Sequence, residues 1–135
     1  MRPSSPHPTD LQLAILRILW RDGPSTARHI QESLSETSNL RASSVHIALT
    51  AMKKKGYLTA EKSGVEGDAM RYRALTTQEK TGKNMLKYLV RKVFGGDAGP
   101  VMENLIAMNE LDPKELDELA QLIQKKKREQ KDQPE

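Results

Sequence analysis

Residues 43–59, SSVHIALTAMKKKGYLT, join a helical sequence pattern to a strand-like one. Apolar residues recur at helical spacing along the first part, at Val45, Ala48, Leu49 and Met52. One face of a helix over residues 43–56 is therefore predicted to be buried. Gly56 suits the left-handed conformation that ends many helices. The opposite face carries short polar side chains together with Ile47, followed by three consecutive lysines.

The period of the sequence changes after this helix. Residues 57–62 and 70–75 have the composition of strands, and a glycine-containing turn is predicted at residues 64–68. Apolar and basic residues alternate in the second strand, which places Arg71 and Arg73 on the same face. The sequence therefore predicts a β-hairpin whose outer part, residues 62–73, forms a wing.

Two further helices are predicted before residue 43. Thr9 is a good N-cap for a strongly apolar helix that ends at Asp22-Gly23-Pro24. Ser25 is expected to cap a second helix, whose apolar stripe consists of Ala27, Ile30 and Leu34. Three helices followed by a hairpin is the order of elements in a winged helix-turn-helix, which we expect over residues 9–76.

Three more helices are predicted over residues 77–130. Thr76 and Glu79 form a candidate capping box for the first of them, Gly95-Gly96 ends it, and Asp112-Pro113 begins the last. Their apolar positions are Met85, Leu86, Leu89, Val90, Val93, Phe94, Leu105, Leu116, Leu119, Leu122 and Ile123. Three short helices offer little against which to bury these side chains, so we expect a homodimer. The predicted fold is thus mainly α with a small β-hairpin: a winged helix-turn-helix followed by an α-helical dimerisation region.

The net charge of +4 is unevenly distributed along the chain. Up to Thr76 there are eleven basic and seven acidic residues, whereas the remainder has eleven of each. The excess of positive charge therefore lies in the predicted winged helix, as expected if this part binds phosphates.

Several classes of protein are excluded by what the sequence lacks. It has no cysteine, and its three histidines have no neighbours at metal-ligand spacing, so no metal site and no cofactor are expected. It has no nucleophile motif or phosphate-binding loop, and it is therefore not expected to be an enzyme. Residues 1–8 and 131–135 are expected to be a disordered arm and tail. With no signal peptide or apolar run, a cytoplasmic protein is expected.

The helix over residues 43–56 is the candidate for contact with bases in the major groove of DNA. Short polar and methyl-bearing side chains suit base edges and basic ones suit phosphates. Ile47, on the face predicted to be exposed, suits a thymine methyl group. The residues expected to contact DNA are Arg41, Ser43, Ser44, His46, Ile47, Thr50, Lys53 and Lys54, with Lys62, Arg71 and Arg73 from the wing. The alternative is a winged-helix adaptor that binds proteins without specific DNA contacts.

Five stretches together resemble the BlaI/MecI/CopY family of bacterial repressors. They are residues 9–25, 43–59, 70–73, 94–96 and 111–116. The resemblance implies a homodimer that binds double-stranded DNA at a palindromic promoter operator and represses transcription. Ser43-Ser44-Val45 stands where the family usually has Thr-Thr-Val, and residues 46–48 depart from its threonine-rich pattern. The operator is therefore expected to differ from the family's common one.

The same resemblance implies a route for relieving repression. In the best-known members, a membrane sensor-protease is a partner and leads to cleavage at an Asn-Phe bond in the dimerisation region. The matching positions here are Asn104 and Leu105, and the leucine departs from that pattern. The copper-responsive branch uses cysteine pairs, which this chain lacks.

Overall fold

The computed structural model describes residues 7–37, 39–62, 69–108 and 110–132. Its elements are α1 (Asp10–Asp22), β1 (Ser25–Thr26), α2 (Ala27–Ser35), α3 (Ala42–Lys55), β2 (Leu58–Lys62), β3 (Met70–Ala74), α4 (Gln78–Lys92), α5 (Gly99–Ala107) and α6 (Pro113–Asp132). The chain divides within α4 into two compact units, one up to Leu86 and the other from Lys87. The predicted domain limits, residues 9–76 and 77–130, remain predictions.

The core of the first unit is built around α1. Ile15 and Leu16 are fully buried there, as the apolar sequence of this helix predicted. They pack with apolar residues of α2, α3 and β2, namely Ile30, Leu34, Val45, Ala48, Leu49, Met52 and Leu58. The apolar stripe predicted on α3 is thus buried in the core, and the opposite face of α3 is exposed to solvent.

The ends of α1 follow the expected capping chemistry. The Thr9 hydroxyl accepts a hydrogen bond from the Gln12 backbone N–H at 3.2 Å, and the Gln12 side chain accepts one from the Thr9 N–H at 3.0 Å. At the other end, Arg21 and His29 contact the Asp22 carboxylate, each at 2.8 Å. The hydrogen bond from Arg21, followed by that from His29, holds the pKa of Asp22 well below its usual range. These contacts fasten the end of α1 to α2.

The sheet has a third strand that the sequence analysis missed. Its order is β1-β3-β2 and both pairings are antiparallel, with Ser25 opposite Tyr72 and Thr26 opposite Arg71. The prediction that Ser25 caps α2 was wrong, because Ser25 lies in β1 and its hydroxyl donates to the Gly23 carbonyl at 2.8 Å. Thr26 is the N-cap, since its hydroxyl accepts from the His29 N–H at 3.1 Å. Two residues are too short a strand to show an alternating pattern.

The predicted start of α4 also needs correction. Helix α4 begins at Gln78, and the Thr77 hydroxyl accepts a hydrogen bond from the Lys80 backbone N–H at 3.1 Å. Thr77 therefore takes the capping position that had been assigned to Thr76. The Thr76 carbonyl instead accepts a hydrogen bond of 2.8 Å from the Trp20 indole nitrogen. This bond attaches the segment after the sheet to α1.

In the second unit, α6 is longer than predicted. It starts as expected, with the Asp112 carboxylate accepting from the Glu115 N–H at 2.8 Å, and it continues to Asp132. Helix α4 ends at Lys92. Shortly after it, Gly95 and Gly96 adopt φ angles of 60° and 92° that other residues rarely take.

Residues 1–6 and 133–135 of the predicted arm and tail lie outside the described residues. No helix in the described part of the chain is both long and apolar enough to cross a membrane.

Candidate nucleic-acid interface

The face of α3 that points away from the core carries most of the predicted contact residues. Because a helix repeats every 3.6 residues, the buried set at Val45, Ala48, Leu49 and Met52 leaves one opposite line of side chains. That line consists of Ser43, Ile47, Thr50 and Lys54, flanked by His46 and Lys53, and all six side chains are exposed. We call these six residues the outer face of α3. Ser44 lies at its edge and is half-buried.

Both ends of α3 carry positive charge. Arg41 is the N-cap residue and is exposed, and no described side chain caps the helix there. The helix dipole and the arginine therefore act in the same direction, which favours an anion at this end. At the other end, Gly56 adopts φ 82°, and its N–H points back to the carbonyls of Met52 and Lys53. The Lys55 ammonium lies over the Tyr57 ring, 5.9 Å from its centroid, which leaves Lys53 and Lys54 on the outer face.

The wing residues divide between the two faces of the hairpin. The register places Arg71 opposite Glu61 and Arg73 opposite Thr59, so both arginines share one face as predicted. Lys62 is opposite Met70 and, by strand alternation, lies on the other face. Tyr72 on that second face packs against the core. The structure thus does not bring Lys62 together with the two arginines. The predicted turn, residues 64–68, lies outside the described residues.

Glu61 is a part of this site that the sequence analysis missed. Its carboxylate accepts hydrogen bonds from Arg73, at 2.7 Å from Nη2 and 2.9 Å from Nε. Both side chains are about half exposed, at 52% each. Glu61 lies directly opposite Arg71, on the face that Arg71 and Arg73 share, and Arg73 is two residues further along β3. The register of the two strands therefore brings Glu61 within reach of Arg73. One of the two wing arginines is therefore already bound to a carboxylate.

We expect that Glu61→Gln raises the affinity of the protein for DNA. The change frees Arg73 and removes a negative charge beside it, and an exposed ion pair of this kind contributes only about 0.2–1 kcal/mol to stability. Affinity should increase by about two- to fivefold, measured by fluorescence anisotropy at fixed salt.

Glu32→Gln is the matched control, because Glu32 also pairs with an exposed arginine, Arg28 of α2, at 3.1 Å. A lower affinity for the Glu61 variant than for this control would contradict the expectation. It would show that the ion pair holds the wing in its binding conformation.

The residues predicted for dimerisation are largely exposed in the single chain. The exposed fractions reach 67% at Val93 and 60% at Leu122, while Met85, Val90, Phe94 and Leu119 are half-buried. The other members are also exposed, namely Leu86, Leu89, Leu105, Leu116 and Ile123. Every predicted dimerisation residue therefore keeps apolar surface in contact with solvent.

The predicted cleavage position lies within a helix. Asn104 and Leu105 belong to α5, where the Asn104 carbonyl accepts a hydrogen bond from the Met108 N–H at 3.0 Å. The Asn104 side chain donates to the Pro100 carbonyl at 2.8 Å. A protease would meet this bond in helical form, and cleavage there stays a prediction.

The order of helices and strands, with an exposed α3 and a hairpin, defines a winged-helix protein. The penicillinase repressor family matches residues 8–125, which is most of the chain. The chain therefore belongs to the penicillinase repressor family. It is a DNA-binding repressor of transcription and not an enzyme, and the resemblance stated from its sequence is confirmed.

Individual relatives are distant in sequence. The methicillin resistance regulatory protein MecI of Staphylococcus epidermidis is 20% identical over 112 residues, which are 83% of this chain and 89% of that protein. Among solved structures, a MarR family protein from Bacillus stearothermophilus has a TM-score of 0.47 at 15% identity, covering 96% of this chain and 77% of its own. Transcriptional regulator Tm0710 from Thermotoga maritima has a TM-score of 0.45 at 16% identity, with coverages of 95% and 80%.

Proposed function

We propose that the protein acts in the cytoplasm as a homodimer that represses transcription by binding a palindromic operator. In this proposal, α3 of each protomer enters a major groove and the wing contacts the adjoining phosphates. The observation that carries it is the outer face of α3, where short polar side chains and Ile47 lie between two positively charged ends. This arrangement supports base contact in a major groove, because polar and methyl-bearing side chains suit base edges and basic ones suit phosphates.

The second unit supports the dimeric part of the proposal. Its helices expose leucine, isoleucine, valine and methionine side chains, and large apolar surfaces of this kind often mark sites of protein–protein contact. A second copy of the chain would cover them with the same residues, because a twofold interface places the same surface patch on both subunits. Two copies would also present two α3 helices, which matches the two half-sites of a palindrome.

The test is selection of DNA sequences from a random duplex library by the purified protein at physiological salt. We expect enrichment of two inverted half-sites whose centres are about one helical turn apart, ~34–36 Å. Affinity for the enriched duplex should fall steeply with salt, with a log–log slope of about −0.9 for each neutralised phosphate. Equal binding to all duplexes would contradict specific recognition.

The wing arginines provide a second measurement on the same duplex. Arg71→Ala combined with Arg73→Ala should weaken binding to all sequences. The salt slope should become shallower by about 1.8 if only Arg71 of each protomer neutralises a phosphate, and by about 3.6 if Arg73 also exchanges Glu61 for a phosphate. Arg17→Ala is the control, because Arg17 is an exposed arginine of α1 that belongs neither to α3 nor to the hairpin. If the double variant binds as tightly as the control, the adaptor alternative gains support.

A further inference from the structure

The centre of the outer face of α3 is apolar. Ile47 is 71% exposed, and it lies on the side of the helix opposite Val45, Ala48, Leu49 and Met52. Its side chain offers no hydrogen-bond donor or acceptor. In a major groove, it can gain free energy only by contact with an apolar group.

Thr50 lies one helical turn further on the same face, and its hydroxyl is already engaged. Thr50 Oγ1 donates a hydrogen bond of 2.9 Å to the backbone carbonyl of His46. Because a carbonyl can only accept, the hydroxyl hydrogen is directed back to the helix. The methyl group of Thr50 is therefore what this exposed side chain can present, together with a lone pair on the oxygen.

We propose that Ile47 and Thr50 contact the 5-methyl groups of thymines at neighbouring base-pair steps in each half-site. This rests on the proposed function, in which α3 enters the major groove. The thymine methyl is the one apolar group that a base pair displays in that groove. The two residues are about 4.5 Å apart along the helix axis, close to the ~3.4 Å separation of adjacent bases.

The experiment replaces thymines of the selected operator with deoxyuridine, one position at a time. Deoxyuridine keeps every hydrogen-bonding group of thymine and lacks only the methyl. At two neighbouring positions of a half-site, we expect affinity to fall by about fourfold for each methyl removed. Replacement of the same thymine in both half-sites should lower the affinity by about fifteenfold.

Two protein variants assign the methyl groups to side chains. Ile47→Ala should abolish the difference between thymine and deoxyuridine at one position, and Thr50→Ser should abolish it at the neighbouring one. Thr50→Ser keeps the hydroxyl that bonds to His46 and removes only the methyl. Ser43→Ala is the matched control on the same face, and it should leave both differences intact.

The outcomes separate this inference from the proposed function. If no sequence is enriched, the proposed function itself is wrong. If an operator is enriched but deoxyuridine binds as tightly as thymine at every position, methyl recognition is wrong and the proposed function stands. If deoxyuridine weakens binding equally in the wild type and in both variants, other side chains contact the methyls and the assignment to Ile47 and Thr50 is overturned.

Discussion

Replacement of Leu122 by aspartate is expected to convert the proposed dimer into monomers. Leu122 is 60% exposed in the single chain, so the change leaves the fold of the protomer intact. In a twofold interface, the substitution would bury two carboxylates among leucine side chains, one from each copy. A buried charge without a partner costs about 3–5 kcal/mol, which corresponds to at least a hundredfold weaker association. Sedimentation velocity at micromolar protein measures the change, and operator affinity should fall with it.

Gln121→Asp is the matched control for this experiment. Gln121 is the preceding residue on α6 and is exposed, but it points away from the stripe formed by Leu116, Leu119 and Ile123. The same added charge at this position should leave the dimer unchanged. A dimer of wild-type affinity in the Leu122 variant would show that α6 does not form the interface.

Leu49→Ala is expected to destabilise the first unit by about 2–5 kcal/mol. Leu49 is 1% exposed and packs in the core cluster with α1 and α2, so its loss leaves a cavity beneath the outer face of α3. Urea denaturation followed by circular dichroism measures the effect as a lower midpoint. The free energy of unfolding of most single domains is only about 5–15 kcal/mol, so this substitution should remove a large share of it.

The control lies two residues earlier on the same helix. Ile47→Ala should change stability by no more than about 0.5 kcal/mol, because its side chain is 71% exposed. Most of the side-chain surface that this substitution removes is exposed to solvent and is not packed against other residues. If both substitutions destabilise the protein equally, Ile47 is packed in solution and cannot be part of the outer face.

The helices of this chain could be predicted from sequence because their apolar residues repeat with the helical period. The buried stripe of α3 and the capping of α1 by Thr9 and of α6 by Asp112 were confirmed in this way. Strand β1 could not be predicted, since two residues carry no period and Ser25 is also a common helix cap. Its existence depends on pairing with Arg71 and Tyr72, more than forty residues later in the chain.

The candidate site was predictable to a similar degree. Helical and strand periodicity correctly placed Ile47 and Thr50 on the exposed side of α3, and Arg71 and Arg73 on a common face. The ion pair between Glu61 and Arg73 can be predicted only when the register of β2 and β3 is known. The length of the turn between the two strands does not determine that register. The separation of Lys62 from the arginines depends on the same register.

The division of α3 into two faces bears on how such a repressor can change over evolution. Folding depends on Val45, Ala48, Leu49 and Met52, whereas the side chains available to bases lie at other positions of the same fourteen-residue helix. Mutations at the exposed positions can therefore accumulate without lowering stability. A duplicated copy could acquire a new set of target promoters by a few such substitutions, and a library randomised at residues 43, 46, 47 and 50 should yield folded proteins with altered operator preference.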